Sequence, residues 1–396
     1  MKLAKLLILL GILLLASAFA VSAQDDGLIV WADEAHAPVV EEIAAQFTED
    51  FDIPVVVHEI GFGDIRDQFK TAAPAGEGPD VLMGPHDWLG EMAVNGLLAE
   101  IDLTDVEDQF LPSAVAAFVY EGVQYGMPTS AENVGFLRNT DLVPENPATW
   151  DDVRAISEQL QASGDAQFGF IMFDNNPYHL FPLMTAFGGY VFGLTEAGYD
   201  PNDVGIDSEG SIAAAAYLEA YGTDGLMPSG IDYEVMHSMF ESGDAAMIIT
   251  GPWAIPRILE SGVNFEVAGI PAGPGGSGKP FLGVWGFMIS AFSENKLVAE
   301  TFVLDYVGSP EGIESLYSAS PRPAAMIEVR EAMEDELTVG FANAGTEGLA
   351  MPAIPEMSSV WTAWGNAMEL VRTGELDAEA AFSNAGEQIR SLLAEE

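Results

Sequence analysis

Short apolar runs alternate with helical periods from residue 28 to residue 96, and this alternation restricts the possible folds more than any other feature of the chain. Leu28 to Trp31 has strand character. Pro38 then opens a helix whose apolar positions, Val39, Val40, Ile43, Ala44 and Phe47, share one face. The turn Asp52-Ile53-Pro54 leads into the strand Val55 to Val57. A second helix is expected from about Asp64, its N-cap, to Ala73, with Ile65 and Phe69 on one side. Pro74 and the run Gly76-Glu77-Gly78-Pro79 end it. The strand Asp80 to Met83 precedes a helix from His86 to Val94, stopped by Asn95-Gly96. Strands separated by helices pair in parallel and carry helices on both faces, which makes this an α/β chain.

Later segments keep the same grammar. Ala117 to Tyr120 and Val123 to Met127 flank the turn Glu121-Gly122 as a hairpin, and an extended segment continues to Asn139. Thr149 caps a helix from Trp150 to Ala162, with Asp152 in its first turn favouring the helix dipole. Asn176-Pro177-Tyr178 opens another helix, because proline suits the first helical position, where its missing N–H costs nothing. A helix is expected from Asp207 to Tyr221. Residues 236–255 then give a helix ending at Ser242-Gly243, a strand from Ala245 to Ile249, and a new helix opened by Gly251-Pro252-Trp253. Trp253 thus lies at the C-terminal end of a strand, the edge that faces the ligand crevice in open α/β sheets. Its two readings are a stacking platform and a core aromatic. A strand from Phe281 to Ile289 follows, and helices fill most of the remainder.

With 396 residues, 49% of them hydrophobic, and 41 glycines, the chain suits about two to three domains with sizeable cores. It has no cysteine, which excludes disulfides, thiolate metal sites and Cys nucleophiles. Its five His show no metal-ligand spacing, and no Gly-x-Ser-x-Gly elbow occurs. The loop Gly273 to Gly278 lacks the Lys-Ser/Thr pair of a phosphate loop, and no solenoid-length repeat is visible. A formal net charge of −49 argues against nucleic acid and against anionic membranes. Self-repulsion of that size weakens the compact state unless salt screens it. Saline surroundings are one explanation; a surface bias without adaptive meaning is the other.

The N-terminus has the pattern of a secretory signal. Lys2 and Lys5 precede the apolar run Leu6 to Leu15, and Val21-Ser22-Ala23 supplies small residues for cleavage near Ala23. No second run of about 20 apolar residues occurs. The expected mature protein is soluble and lies outside the cytoplasm, periplasmic or otherwise, with no thiol for a lipid anchor.

Five motifs in order carry a resemblance: GEGPDVLMGPHDWLGEMAVNGLLAEI (Gly76 to Ile101), YGMPTSAENVGFLRNTDLVPENPATWDDV (Tyr125 to Val153), NNPYHLFPLMTAFGGYVF (Asn175 to Phe192), KPFLGVWGFMIS (Lys279 to Ser290) and MPAIPEMSSVW (Met351 to Trp361). With residues 236–255, they make the chain similar to the extracellular solute-binding proteins of carbohydrate ABC transporters, most of all the maltose- and maltodextrin-binding proteins. The resemblance runs from about Leu28 to the C-terminus. It implies the two-lobed periplasmic-binding-protein fold, α/β in both lobes, with a ligand cleft between lobes and hinge crossovers. These are expected near Ala131 to Gly135, near Leu282 to Trp285, and between Ala324 and Glu334. The implied division is a signal peptide over 1–23, an N-terminal lobe of 24–131 and 284–330, and a C-terminal lobe of 132–283 and 331–396.

A sugar offers an apolar C–H face and an edge of hydroxyls, so it calls for flat rings and for carboxylates or amides. The resemblance implies stacking by Tyr178, Trp253 and Trp361, with Tyr233 as a further cleft tyrosine. It implies hydroxyl contacts by Asp87, whose other reading is an N-cap, and by Glu132, whose other reading is a solvated turn acid. Asp33 and Glu34 match the region of another acidic contact, without fixing which of them reaches the ligand. The chain departs from the maltose pattern at several points. Gly84 stands for a Trp, Trp88 for an Arg, Asn176 for an acid and Gly365 for an Arg, and no basic residue follows the first strand near Glu34 to His36. Trp88 and Trp364 are expected to supply replacement stacking surface.

The resemblance therefore implies a binding subunit, not an enzyme, that closes on a maltodextrin-like gluco-oligosaccharide and delivers it to membrane permease subunits. It implies a monomer, with no cofactor, metal or nucleic acid. A different disaccharide such as trehalose is the alternative. A glycoside hydrolase using Asp87 and Glu132 is the enzyme rival, since hydrolysis needs two carboxyls at a set distance.

Overall fold

Three parallel strands begin the fold, as the alternation requires. In the computed structural model, which describes residues 27–195 and 198–394, β1 (Leu28–Ala32) pairs in parallel with β2 (Val55–Glu59) and β3 (Val81–Pro85). The signal segment 1–23 lies outside the described residues. Short β4 (Leu98–Ala99), the hairpin β5 (Val119–Tyr120) and β6 (Val123–Gln124), and β7 (Gly126–Glu132) follow.

The chain leaves this first sheet between Glu132 and Gly135. β8 (Gly135–Asn139) already belongs to a second sheet with β9 (Phe168–Phe170), β12 (Ala245–Thr250) and β13 (Phe265–Ala268), in the order β13-β8-β12-β9. A separate hairpin joins β10 (Phe192–Thr195) to β11 (Gly198–Val204). β14 (Phe281–Ser290) returns to the first sheet, antiparallel to β3 and β7, and β15 (Leu349–Ala350) pairs with its first residues. A third stretch passes beside β7, where the N–H of Ala131 donates to Pro323 and that of Ala325 to Thr129.

Two hydrophobic cores result. One draws on positions from 28 to 127 and from 284 to 326; the other draws on positions from 134 to 281 and from 341 to 389. The molecule is a two-lobed α/β fold. Ligands of such sheets sit beyond the carboxyl ends of strands, and these ends are where Asp33, Phe62, Asp87 and Trp253 follow β1, β2, β3 and β12.

Local structure follows the proline and glycine signals, with shifts at acidic residues. Thr149 and Asp152 form a reciprocal capping box on the helix Trp150–Ser163. Asp64 is not an N-cap: the helix is Phe62–Ala75, capped at Gly61, and Asp64 lies in its first turn, where an acid suits the dipole as well. Pro74 is accommodated in the last turn, and Gly76, at φ 74°, closes the helix two residues later. Asp207 also lies outside its helix, which is Glu209–Thr223 with Ser208 as the cap; its carboxylate pairs with Arg390. His86–Trp88 is a 3-10 turn leading into the helix Leu89–Val94, and Pro252–Ala254 is the same device ahead of Ile255–Ser261.

Candidate functional site

The acids of the first lobe are placed by strand ends. Asp33, just after β1, is buried and turned inward. It accepts bonds from the His36 backbone N–H at 2.9 Å and from His36 Nδ1 at 2.6 Å. Arg322 lies 2.6 Å from the other ring nitrogen, and a guanidinium can only donate, so His36 is neutral with its proton on Nδ1. Burial pushes the Asp33 carboxyl up, but the His36 bond and the charge of Arg322 outweigh it and the net shift is downward. Burial and Arg322 both hold His36 below its ordinary value. Glu34 is exposed and accepts the Phe62 N–H at 3.1 Å.

Glu132, the last residue of β7, is also buried, and both of its oxygens are engaged. Oε1 accepts the Trp285 indole N–H at 2.8 Å, and Oε2 accepts Arg322 Nε at 2.5 Å. Burial raises its pKa against the opposing pull of Arg322 and Trp285. The Arg322 guanidinium also lies 4.9 Å from the Trp285 ring centroid. Asp33, His36, Arg322, Glu132 and Trp285 thus form one buried polar chain. A cation reaches this place after the first strand from the segment Ser320-Pro321-Arg322-Pro323. Arg322 was not singled out from the sequence; its signal was a scarce cation set between prolines.

Asp87 behaves differently. Pro85 takes the N-cap place of its 3-10 turn and Asp87 makes no capping bond, which removes the N-cap reading. Its Oδ1 is buried with no protein partner. Burial pushes the carboxyl up to about 7, against the charge of Arg66 and the indole of Trp361. Trp361 belongs to the helix Met357–Thr373, packed on the second core, so the two lobes meet at this pair. His86, beside Asp87, ties the same seam. Its Nδ1 accepts the Val284 N–H at 3.0 Å, so its Nε2 donates to the Met351 carbonyl at 3.0 Å; burial pulls its pKa down to about 4.

Trp88 lies over Gly84, where a Cβ would come 2.4 Å from the indole. The ring at position 88 therefore takes up the space above a residue that must be small. Trp88 itself is buried, with Phe62 stacked on it at 5.6 Å. Trp364 is fully buried, contrary to its expected surface role. It lies one helical turn from Trp361 on the same side, and stacks behind it at 6.4 Å and 10°.

The second lobe supplies rings from two proline-opened turns. Asn176 caps the helix Pro177–Ala186, its Oδ1 accepting from the His179 N–H at 3.1 Å and from His179 Nδ1 at 2.8 Å. His179 Nε2 is left as a buried acceptor with no partner, and burial takes its pKa down to about 3. The Tyr178 hydroxyl is likewise buried and unpartnered. Burial raises its pKa, and the nearby charges of Glu132 and Asp87 raise it further. A Cβ at Gly283 would lie 3.3 Å from that hydroxyl, so the hinge strand β14 passes directly beneath it. Trp253 is half-buried above Gly251, its ring 6.2 Å from Tyr178 and 6.0 Å from His179. Tyr233 packs on His237 at 4.2 Å, with Arg257 5.8 Å from its ring.

Asp87, Glu132, Tyr178 and Trp361 therefore converge at the seam, with Trp253 beside Tyr178. Asp33 connects to this group through His36, which touches both Arg322 and Trp285, and Glu34 and Trp88 flank Phe62. Asn176 acts on His179, and Tyr233 faces Arg257 while its side chain also bonds Trp253. Among the described residues, no group of three or more His, Cys, Asp or Glu is placed to hold a metal, and no helix is long and apolar enough to cross a membrane.

The chain is similar to known proteins over most of its length. The sequence model of the bacterial extracellular solute-binding proteins matches residues 42–339. The chain is 29% identical to a galactooligosaccharide-binding protein of Bacillus subtilis (strain 168), over 94% of this chain and 90% of that one. It is 30% identical to a maltotriose-binding protein of Pyrococcus abyssi (strain GE5 / Orsay), over 82% of this chain and 73% of the relative. A maltodextrin-binding protein of Bacillus subtilis is 26% identical over 94% of this chain and 92% of its own length.

Proposed function

Because the chain belongs to the bacterial extracellular solute-binding proteins, we propose that it is the sugar-binding subunit of an ABC importer and that it clasps a maltodextrin-like gluco-oligosaccharide between its lobes. One observation carries the reading. Three buried polar atoms without protein partners, Asp87 Oδ1, the Tyr178 hydroxyl and His179 Nε2, occur among the rings of Tyr178, Trp253 and Trp361. Buried polar groups are rarely left unpaired. Two acceptors and a hydroxyl among flat rings match a ligand with hydroxyls at its rim and C–H groups on its faces.

The relatives named for galactooligosaccharide, maltotriose and maltodextrin support an oligosaccharide. A galacto-oligosaccharide is the second reading, favoured by the first of these relatives, and a disaccharide such as trehalose is the third. Hydrolysis is disfavoured because Arg322 and Trp285 hold both oxygens of Glu132, so that carboxylate is not free to act on a glycosidic bond.

In this reading the lobes are 24–131 with 284–330 and 132–283 with 331–396, a division supported by the two separate cores. The rings receive the sugar, and hinge closure then brings Asp87 against it. The protein works as a monomer outside the cytoplasm, with its signal segment removed, and hands its cargo to membrane permease subunits. Reversible delivery calls for dissociation constants of order micromolar, about 8 kcal/mol.

A thermal-shift panel of malto- and galacto-oligosaccharides, trehalose and monosaccharides tests the reading, with calorimetry on each hit. Stabilisation by gluco-oligosaccharides is the expected result, and stabilisation by no carbohydrate would refute it. Incubation with maltotriose should release no glucose.

A further inference from the structure

The first lobe carries a ring surface of its own. Phe62 begins the helix Phe62–Ala75 immediately after β2, at the sheet edge that also delivers Asp33 and Asp87. It remains 42% exposed, although Trp88 stacks on it at 17° and Trp285 lies against it at 5.3 Å. Both supporting indoles are buried. Its flanks are open: a Cβ on Gly63 would meet nothing within 4 Å, and one on Gly61 would meet only the Asp64 carboxylate at 3.8 Å. The Phe62 N–H is held by the exposed Glu34 carboxylate, which fixes an acid beside the ring.

A flat ring left half in water, backed by rigid indoles and bordered by glycines, forgoes burial that packing would reward. It retains a face on which another flat apolar surface can lie. The buried indoles behind Phe62 also adjoin the residues of the seam. Trp88 follows Asp87 in the same turn, and the Trp285 indole donates to Glu132.

We propose that Phe62 is an added subsite that stacks on a sugar ring lying outside the seam, with Glu34 accepting a hydroxyl of that ring. The protein then prefers chains longer than a disaccharide. This inference rests on the sugar-binding reading above.

Calorimetric titration of the full chain and of Phe62→Ala and Phe62→Trp, using maltose, maltotriose and maltotetraose and the matching galacto-oligosaccharides, tests it. Thermal melts check that each variant folds. Phe62→Ala should weaken the longer sugars roughly fivefold while changing the disaccharide less than about twofold, and Phe62→Trp should retain length preference. Equal loss for every length, or no loss for any, would overturn the subsite while leaving sugar binding intact. A wild-type protein that binds no sugar of either series would overturn both.

Discussion

Trp253 and Asp87 divide the work expected of single residues. Trp253 presents a half-buried ring above Gly251, supported by Tyr178 and His179. Trp253→Ala should weaken maltotriose binding by at least about tenfold, about 1.4 kcal/mol, with little change in melting temperature. Unchanged affinity by calorimetry would remove the ring from the site. Asp87 makes the opposite demand on pH from an ordinary paired carboxylate. Its folded value is about 7 against an ordinary 3.8, so the folded state holds a proton that the unfolded state gives up. The stability it contributes is complete below about pH 4 and falls as pH rises toward 7. Asp87→Asn, which keeps the neutral shape, should melt like the wild type near pH 4.5 and above it at pH 8, in sugar-free protein. A constant difference across that range would contradict the assignment. The positions of these residues were legible because each follows a strand and a turn signal. The partners were not: Arg322 lies 190 positions from Glu132, and no local pattern announces that bond.

Elements show the same limit at a larger size. Prolines at 177 and 252 announced two helix starts, because a residue without an N–H fits where the helix leaves donors unpaired. Acidic residues were poorer guides, since an Asp serves the first turn as readily as the cap. Hence Asp64, expected as a cap, lies in the first turn, while Asp207, expected to start a helix, lies just ahead of the Ser208 cap. Periodicity also failed to separate Trp361 from Trp364, which share a helix side but differ in depth. The turn after β3 has a testable tension. Gly84 cannot gain a side chain without moving Trp88, so Gly84→Ala should cost about 1–3 kcal/mol in denaturant unfolding. Pairing it with Trp88→Phe should recover part of the loss. An alanine variant as stable as the parent would mean that the indole shifts freely.

At the scale of the whole molecule, the α/β class and the order of segments were readable from the sequence, because each strand and helix signals itself locally. That three separate stretches, β7, β14 and the segment around Arg322, come to lie side by side was expected only through the resemblance, because no local pattern encodes pairing between distant parts of the chain. Charge acts globally. Against 62 acidic residues stand 13 basic ones, and Arg138, Arg154, Arg257, Arg322, Arg372 and Arg390 each pair with an acid. The surplus must repel itself through solvent, where salt screens it within about 10 Å at 0.1 M and about 3 Å at 1 M. The melting temperature should therefore climb between low salt and about 1 M NaCl. A flat profile would show that the acidic surface imposes no such burden.

The indole of Trp361 rests against a carboxyl group that changes charge near neutrality, at the place where both halves of the molecule touch. If the proposed sugar enters there, it should alter the polarity around a natural fluorophore, and sugar titration followed by intrinsic fluorescence would then read occupancy without an attached dye.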